Sequence, residues 1–355
     1  MYKILAINPG STSTKIGIYN DEECVFVETI SHKTEDLAQF KKINDQKDYR
    51  LSLIEKLLSE KGYDINSFDA VVARGGLIDS LPCGGTYEIN DKMLNDLIVA
   101  KHGDHASNLG GLLARDISDR IGVKAYTVDP TVIDELFDKA RLSGCPELPR
   151  LSKSHFLNQK AVARKYAIEH GKTYEDCNLI VCHMGGGISV GAHMKGKVVD
   201  VNNTLDGEGP FTPERTGTLP TGDLVKLCYS GKYTFKEMYS MVNGHGGLVA
   251  YCGTNSYREV LEKAKTDEFT KNVVDAFIYG IAKYIGSMCT ALKGDVEAII
   301  LTGGIAYNEY TCKEIEEYVK YIAPVVVYPG ENELLSLVSG TLRVLRGEEK
   351  VLEYK

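Results

Sequence analysis

Short apolar runs alternate along the chain with stretches whose apolar residues recur every three or four positions. That is the pattern of strands interleaved with amphipathic helices. It predicts strands over residues 4–7, 16–19 and 24–29, with the turn-forming stretch Asn8-Pro9-Gly10-Ser11-Thr12-Ser13 between the first two. A helix follows over 49–61, with Leu51, Ile54, Leu57 and Leu58 on one face. Residues 70–73 form a strand that runs into Arg74-Gly75-Gly76. Helices over 91–101 and 107–121 lead to a strand over 124–128, after which Asp129-Pro130 opens a further helix.

The second half repeats the plan. Strands over 179–182, 188–192 and 197–201 surround the turn Gly185-Gly186-Gly187. Helices follow over 235–241, 257–265 and 267–292, the last with Val273, Val274, Phe277, Ile281, Tyr284, Ile285 and Met288 at helical spacing. A strand over 298–301 ends in Thr302-Gly303-Gly304, and a helix, a strand over 325–328 and a helix over 333–346 complete the pattern. A strand–loop–strand–turn–strand unit thus begins each half. The expectation is an α/β fold made of two similar domains facing each other across a cleft, a natural place for a ligand. The first takes residues 1–150 with the C-terminal helix from about 334 to 355, and the second takes 151–333.

Composition narrows the function. The chain has 355 residues, is 43% hydrophobic and 25% charged, and carries a formal net charge of -8. An acidic balance argues against a general binder of nucleic acid or of anionic membranes, though a few arginines in a cleft can still hold an anionic substrate. No apolar run approaches the ~20 residues of a membrane span, and the first residues do not read as a signal peptide. The nine cysteines are odd in number and form no C-x-x-C pair, which fits a reducing, cytoplasmic compartment.

Three loops carry candidate chemistry. Asn8 to Lys15 offers small residues, hydroxyls and a cation between two strands, which suits a phosphate approached by backbone N–H groups. A plain hairpin turn with solvated hydroxyls accounts for it equally well. Three successive glycines at 185–187 are more than a turn requires, and imply close approach of backbone to a ligand. Thr302-Gly303-Gly304-Ile305-Ala306-Tyr307-Asn308 again runs from a strand into glycines and then a helix. No G-x-G-x-x-G opens a helix after the first strand, and the P-loop-like stretch 191–198 ends in Gly196-Lys197-Val198, without the hydroxyl that would hold magnesium.

Further stretches sharpen the picture: Cys182-His183-Met184-Gly185-Gly186-Gly187, Asp206-Gly207-Glu208-Gly209-Pro210-Phe211-Thr212-Pro213-Glu214-Arg215, Ser107-Asn108-Leu109-Gly110-Gly111 and Leu342-Arg343-Val344-Leu345-Arg346-Gly347. With the three loops, they resemble the acetokinase family over nearly the whole chain. That family lies within the superfamily of acetate and sugar kinases, heat-shock chaperones and actin. The resemblance implies two ribonuclease-H-like domains, duplicated βββαβαβα-type units, facing across a nucleotide-binding cleft. It implies ATP/ADP and Mg2+ as cofactors, and reversible phosphoryl transfer to a short-chain carboxylate, with butanoate and its acyl phosphate as the expected pair. A homodimer or larger homo-oligomer is implied as well.

The resemblance also assigns residues. Asn8 and Glu333 match the magnesium positions. Ser11, Thr12, Ser13 and Lys15 match the first phosphate loop, and His183, Gly185, Gly186 and Gly187 the second. Ser256 and Arg258 match a segment near the nucleotide, and Gly303, Gly304, Ile305 and Asn308 the adenosine loop. Asp129 matches the catalytic aspartate. The pattern departs where acetate kinases use two arginines and a histidine, because those positions fall on Val71, Leu219 and Leu151. Arg74, Arg215 and either Arg150 or His155 lie close by, and Arg74, Arg215 and His155 are taken as the substitutes.

Local readings stand beside these roles. Asp129 also reads as the N-cap of a helix that starts at Pro130. Arg74 also reads as the partner of a surface acid, and His155 as a satisfied buried histidine. Glu333 also reads as a carboxylate favoured at a helix start. A carboxylate is already ionised at neutral pH, so direct in-line transfer to it requires no general base. A sugar kinase would need such a base, and would carry Asp where Asn8 stands. A chaperone- or actin-like ATPase would need an added binding domain or polymer-contact insertions.

Overall fold

Ile4, Leu5, Ala6 and Ile7 have no exposed surface. An apolar run buried on both faces belongs in the middle of a sheet, and β1 (Lys3–Pro9) sits there. A computed structural model describes the chain from Met1 to Lys355. Around β1 lie β2 (Ser13–Asn20), β3 (Glu23–Ser31), β4 (Ala70–Ala73), β5 (Thr86–Glu88) and β6 (Lys124–Val128), in the order β3-β2-β1-β4-β6-β5. The β1–β2–β3 meander is antiparallel, whereas β1 pairs with β4, and β4 with β6, in parallel.

The second sheet repeats this plan. It comprises β7 (Asn178–Met184), β8 (Ile188–Met194), β9 (Lys197–Val201), β10 (Ala298–Gly303) and β11 (Val325–Pro329), in the order β11-β10-β7-β8-β9. Here β7–β8–β9 is the antiparallel meander and β7, β10 and β11 run parallel. The α/β class and the duplicated ribonuclease-H-like plan are therefore as the sequence implies.

Two compact units hold these sheets. One takes Met1–Ile133 with Asn332–Lys355, and the other takes Asp134–Glu331. In the first, the helices Asn108–Ile121 and Glu333–Leu345 pack on β1, β4 and β6. Gly340 lets the last helix lie close, since a Cβ there would stand 2.4 Å from Val128 Cγ1. In the second, the helix Phe156–Glu169 covers β7 and β10, and Glu268–Ala291 packs on β7, β8 and β9. No helix is long and apolar enough to cross a membrane.

Three of the differences from the sequence reading bear on the units and the site. The first division falls after residue 133 rather than 150, because the intervening segment packs on the second unit. Phe137 N donates to Val199 O at 2.9 Å, and Glu135 forms an ion pair with Lys160 at 2.8 Å. No helix starts at Pro130. The chain turns instead, with Ile133 N donating to Pro130 O and a bridge from Ile133 to Leu81. The helix Phe156–Glu169 escapes the apolar pattern because Asn158, Gln159 and Lys160 are themselves buried.

The Lys160–Glu135 pair is almost wholly buried, and it is satisfied by further bonds to Gly196 O and from Val198 N. Removing one partner strands the other charge. Lys160→Met is expected to lower stability to urea by about 3–5 kcal/mol. Adding Glu135→Gln to it is expected to recover part of that loss.

Candidate active site

Parallel pairing decides where the first unit's polar groups emerge. Ile7 stands opposite Ala73, and Val72 opposite Tyr126. The C-terminal ends of β1, β4 and β6 therefore share one edge, and Asn8, Arg74 and Asp129 sit at those three ends. Such an edge is where α/β sheets bind ligands. Glu333 begins its helix against the same edge and joins two of the three: Asn8 Nδ2 donates to its Oε2 and Arg74 to its Oε1. Asn332, not Glu333, caps that helix, accepting from Leu335 N at 3.3 Å.

Glycines place Arg74. A Cβ on Gly110 would come within 2.3 Å of the Arg74 carbonyl oxygen, and one on Gly76 within 2.5 Å of Asn108 Oδ1. The helix Asn108–Ile121 can thus press directly on the strand end. Asp129 is not a helix cap. Its φ is +41°, a left-handed conformation that a non-glycine residue holds only under constraint. Gly85 supplies the constraint, donating N–H to Asp129 Oδ1 at 2.8 Å and accepting from Asp129 N at 3.0 Å.

The loop after β1 is organised from behind by a residue absent from the sequence reading. Arg50 is fully buried in the helix Lys47–Glu60. Its guanidinium donates to Gly10 O at 2.8 Å, Ser11 O at 2.9 Å, Ser13 O at 3.0 Å and Thr14 Oγ1 at 3.1 Å, with Gln46 Oε1 completing the set. His32 N takes Thr12 O at 2.8 Å. The carbonyls of residues 10–13 thus all point inward. Gly10 N closes the loop on Ser13 O at 2.8 Å, while Ser11 and Thr12 are exposed, with exposed Lys15 just beyond. Exposed hydroxyls beside a cation are groups that can meet a phosphate. Burial pulls the Arg50 pKa down to about 10, so it is still charged at neutral pH. The signal was present in the sequence, since Arg50 falls in line with Ile54 and Leu57 on the apolar stripe, where a cation has no place unless it is paired.

The second unit carries a cleft of about 1010 Å³. Seven of the residues assigned to nucleotide binding line it: Gly185, Gly186, Ser256, Arg258, Gly304, Ile305 and Asn308. Ser256 and Asn308 also cap the helices Tyr257–Ala264 and Glu309–Val319, their side chains accepting from Glu259 N and Thr311 N. Gly303 stands behind the cleft at φ +87°, so close to β7 that a Cβ would lie 2.4 Å from Met184 O. Tyr307 of the third glycine loop lines it as well, and Lys265, Lys271 and Tyr310, also in the lining, went unnoticed in the sequence. Lysines and tyrosines on amphipathic helices carry no motif.

Beside the Gly185–Gly187 turn stands Arg215. A Cβ on Gly187 would fall 2.1 Å from its NH1 and 3.2 Å from His155 Cε1, so only glycine leaves room for the guanidinium. Arg215 donates to Thr204 O at 2.8 Å and to Asn243 Oδ1 at 3.1 Å, both neutral. Burial lowers its pKa, with Glu214 and Asp206 opposing. A half-buried cation resting on neutral oxygens is prepared for an anion. His155 stacks on His183 with ring centroids 4.0 Å apart, and His183 Nδ1 is 2.8 Å from Asn158 Oδ1. Arg150, the alternative to His155, is fully engaged with Asp200, Glu208 and two carbonyls. Of the positions where acetate kinases carry the arginines and histidine, Val71 is core, while Leu151 is half exposed.

Two outcomes follow from the loop. Arg50→Lys keeps a charge but not the fork that spans several oxygens. It is expected to raise the KM for ATP about tenfold or more, matching one bond from a charged donor at ~1.5–3 kcal/mol. Burial and the Arg50 charge also pull the His32 pKa from 6.5 down to about 4. The unfolded chain then takes the proton first. Stability is full above pH 6.5 and is lost as pH falls from 6.5 toward 4. His32→Gln is expected to flatten that part of a curve of urea midpoint against pH.

Known proteins resemble the chain along its length. A profile of the Acetokinase family matches residues 153–323. Butyrate kinase 1 of Clostridium acetobutylicum is 55% identical over 356 residues, covering 100% of both chains. Butyrate kinase 2 of the same organism is 52% identical over 355 residues, covering 100% of this chain and 99% of its own. Among solved structures, acetate kinase of Porphyromonas gingivalis aligns with a TM-score of 0.80 at 18% identity, over 97% of this chain and 100% of that one, which is a likeness of fold. With relatives this similar along their entire length, the chain belongs to the acetokinase family.

Proposed function

We propose that the chain is a carboxylate kinase that transfers a phosphoryl group reversibly between ATP and a short-chain fatty acid, with butanoate + ATP = butanoyl phosphate + ADP as its reaction. The observation that carries this reading is the 55% identity over the full length of both chains to a protein named for that activity. The built cleft and the anion-ready arginine supply its chemistry.

The tasks divide between the units. In the second, Ser256, Arg258, Gly304, Ile305 and Asn308 hold the adenosine. The Gly185–Gly187 turn approaches the phosphates, with His183 beneath it and Gly303 packing behind. In the first, Ser11, Thr12, Ser13 and Lys15 receive phosphate oxygens. The carboxylate oxygen attacks the γ-phosphorus in line while the bond to the β-phosphate oxygen breaks, giving ADP and the acyl phosphate. In the second unit Arg215 and His155 align the anions and neutralise the equatorial oxygens, and in the first Arg74 is the cation at the sheet edge. Asp129, held rigid by Gly85, orients rather than removes a proton, because the nucleophile has none to lose.

Magnesium belongs to the same proposal. The chain gathers no group of three or more His, Cys, Asp or Glu side chains around one point. One carboxamide and one carboxylate, Asn8 and Glu333, fit an ion carried mainly by phosphates and water. When bound, that ion supplies charge neutralisation at the phosphates. A cytoplasmic location and a homo-oligomer complete the reading. The apolar Val225, Tyr229, Phe235 and Tyr239, exposed on and beside the helices Thr221–Cys228 and Phe235–Val242, are the surface a second copy would cover, and light scattering reads the mass.

Mg-ATP offered with straight and branched C2–C6 acids is expected to give ADP and hydroxylamine-trappable product, best with C3–C5 acids. Turnover indifferent to every acid, or responsive to glycerol or a hexose, would sink the proposal. Arg215→Met is expected to lower kcat for butanoate about 10²–10³-fold, the usual loss of one preorganised donor.

A further inference from the structure

Behind the His155 ring runs a line of buried polar side chains that phosphoryl transfer does not itself explain. Tyr174 OH lies 2.7 Å from His193 Nδ1, and His193 Nε2 lies 2.9 Å from Gln159 Oε1. Gln159 Nε2 is 2.6 Å from Ser189 Oγ, which in turn is 3.0 Å from His155 Nδ1. His193, Gln159 and Ser189 have no exposed surface, and Tyr174 is buried.

The chemistry of these groups gives the line a direction. Gln159 Nε2 also lies 3.3 Å from the Ser189 main-chain oxygen, which can only accept. The amide nitrogen must therefore face Ser189, and the amide oxygen must face His193. An amide oxygen also only accepts, so His193 carries its proton on Nε2. Burial and the charges of Lys160 and Arg164 push the His193 pKa well below the usual imidazole range, so its Nδ1 is a lone pair that accepts from Tyr174. Ser189 Oγ accepts from Gln159 and touches one other group, His155 Nδ1. A buried hydroxyl hydrogen without an acceptor is costly, so Ser189 donates to His155 Nδ1.

We propose that this one-way chain, Tyr174 to His193 to Gln159 to Ser189, fixes His155 as the Nε2–H tautomer, with Ser189, Gln159 and His193 as positioning residues. The kinetic consequence, though not the tautomer, rests on the carboxylate kinase reading above. The His155 edge bearing Cε1 flanks Gly187 beside the Arg215 guanidinium. A proton on Nε2 makes His155 a second donor to the transferring phosphoryl oxygens, while remaining uncharged. The opposite tautomer would present a lone pair to the same anion.

Long-range 1H–15N spectra of the 15N-histidine protein test this, with His155 and His193 assigned by their loss in His155→Asn and His193→Asn. The expected result is a protonated Nε2 and an acceptor Nδ1 on both rings. Gln159→Glu can only accept from Ser189, so Ser189 must turn and His155 must switch to Nδ1–H. kcat is then expected to fall about 10- to 100-fold, as for other supporting partners of a reacting group, with the KM for ATP unchanged. Ser189→Thr keeps the hydroxyl and is expected to retain both tautomer and rate, and Ser189→Ala to lose both. An Nδ1–H His155 in the unaltered protein overturns the proposal, as does a tautomer indifferent to Gln159→Glu or Ser189→Ala. If the buried carboxylate prevents folding, the two Ser189 variants decide. If the unaltered protein phosphorylates no acid, the function proposal fails while the spectrum still answers this one.

Discussion

Parallel strands end at a common edge, and both units depend on that constraint. Once Ile7 is paired with Ala73 and Val72 with Tyr126, Asn8, Arg74 and Asp129 must emerge side by side. Once Leu301 is paired with Cys182, the loops after β7 and β10 must emerge together, which brings Gly185 and Gly304 to one cleft. No local preference of these residues produces that meeting. The registers are set by apolar runs far from any chemistry, each buried on both faces.

The polar groups at these edges are held from behind rather than by one another. Arg50 turns the carbonyls of one loop inward. The Cβ-free faces of Gly110 and Gly187 let a helix meet Arg74 and a guanidinium sit against a turn. Gly85 holds Asp129 in a conformation it would not choose. Each support is buried, so the exposed face of each edge stays open.

Much of this was legible in the sequence where the physics is local. The strands of both meanders, the later strands β4, β6, β10 and β11 and the long helix Glu268–Ala291 follow from periodicity, though the parallel pairing does not. Three glycine loops after strands pointed to backbone approach, and the residues around two of them line one cleft. What escaped depends on partners distant in sequence. Arg50 needs a loop some forty positions away to explain its burial. The helix Phe156–Glu169 is disguised by Gln159 and Lys160, whose polarity is answered by Ser189 and Glu135. Asp129-Pro130 carries a helix-start signal that Gly85, from another loop, overrides.

The order of the chain has a consequence for its birth on the ribosome. The second unit is one continuous stretch, Asp134–Glu331, whereas the first is completed only by Asn332–Lys355. Its sheet is covered by the helix Glu333–Leu345, and Tyr354 ties the tail down through Asp96 and Asn90. Residues 1–133 must therefore wait for 332–355, while the inserted unit can close on its own core in between. During that interval the faces of β1, β4 and β6 that the last helix will bury stand open to water or to a chaperone. Asn8 and Arg74 gain Glu333 only after the whole inserted unit has been made.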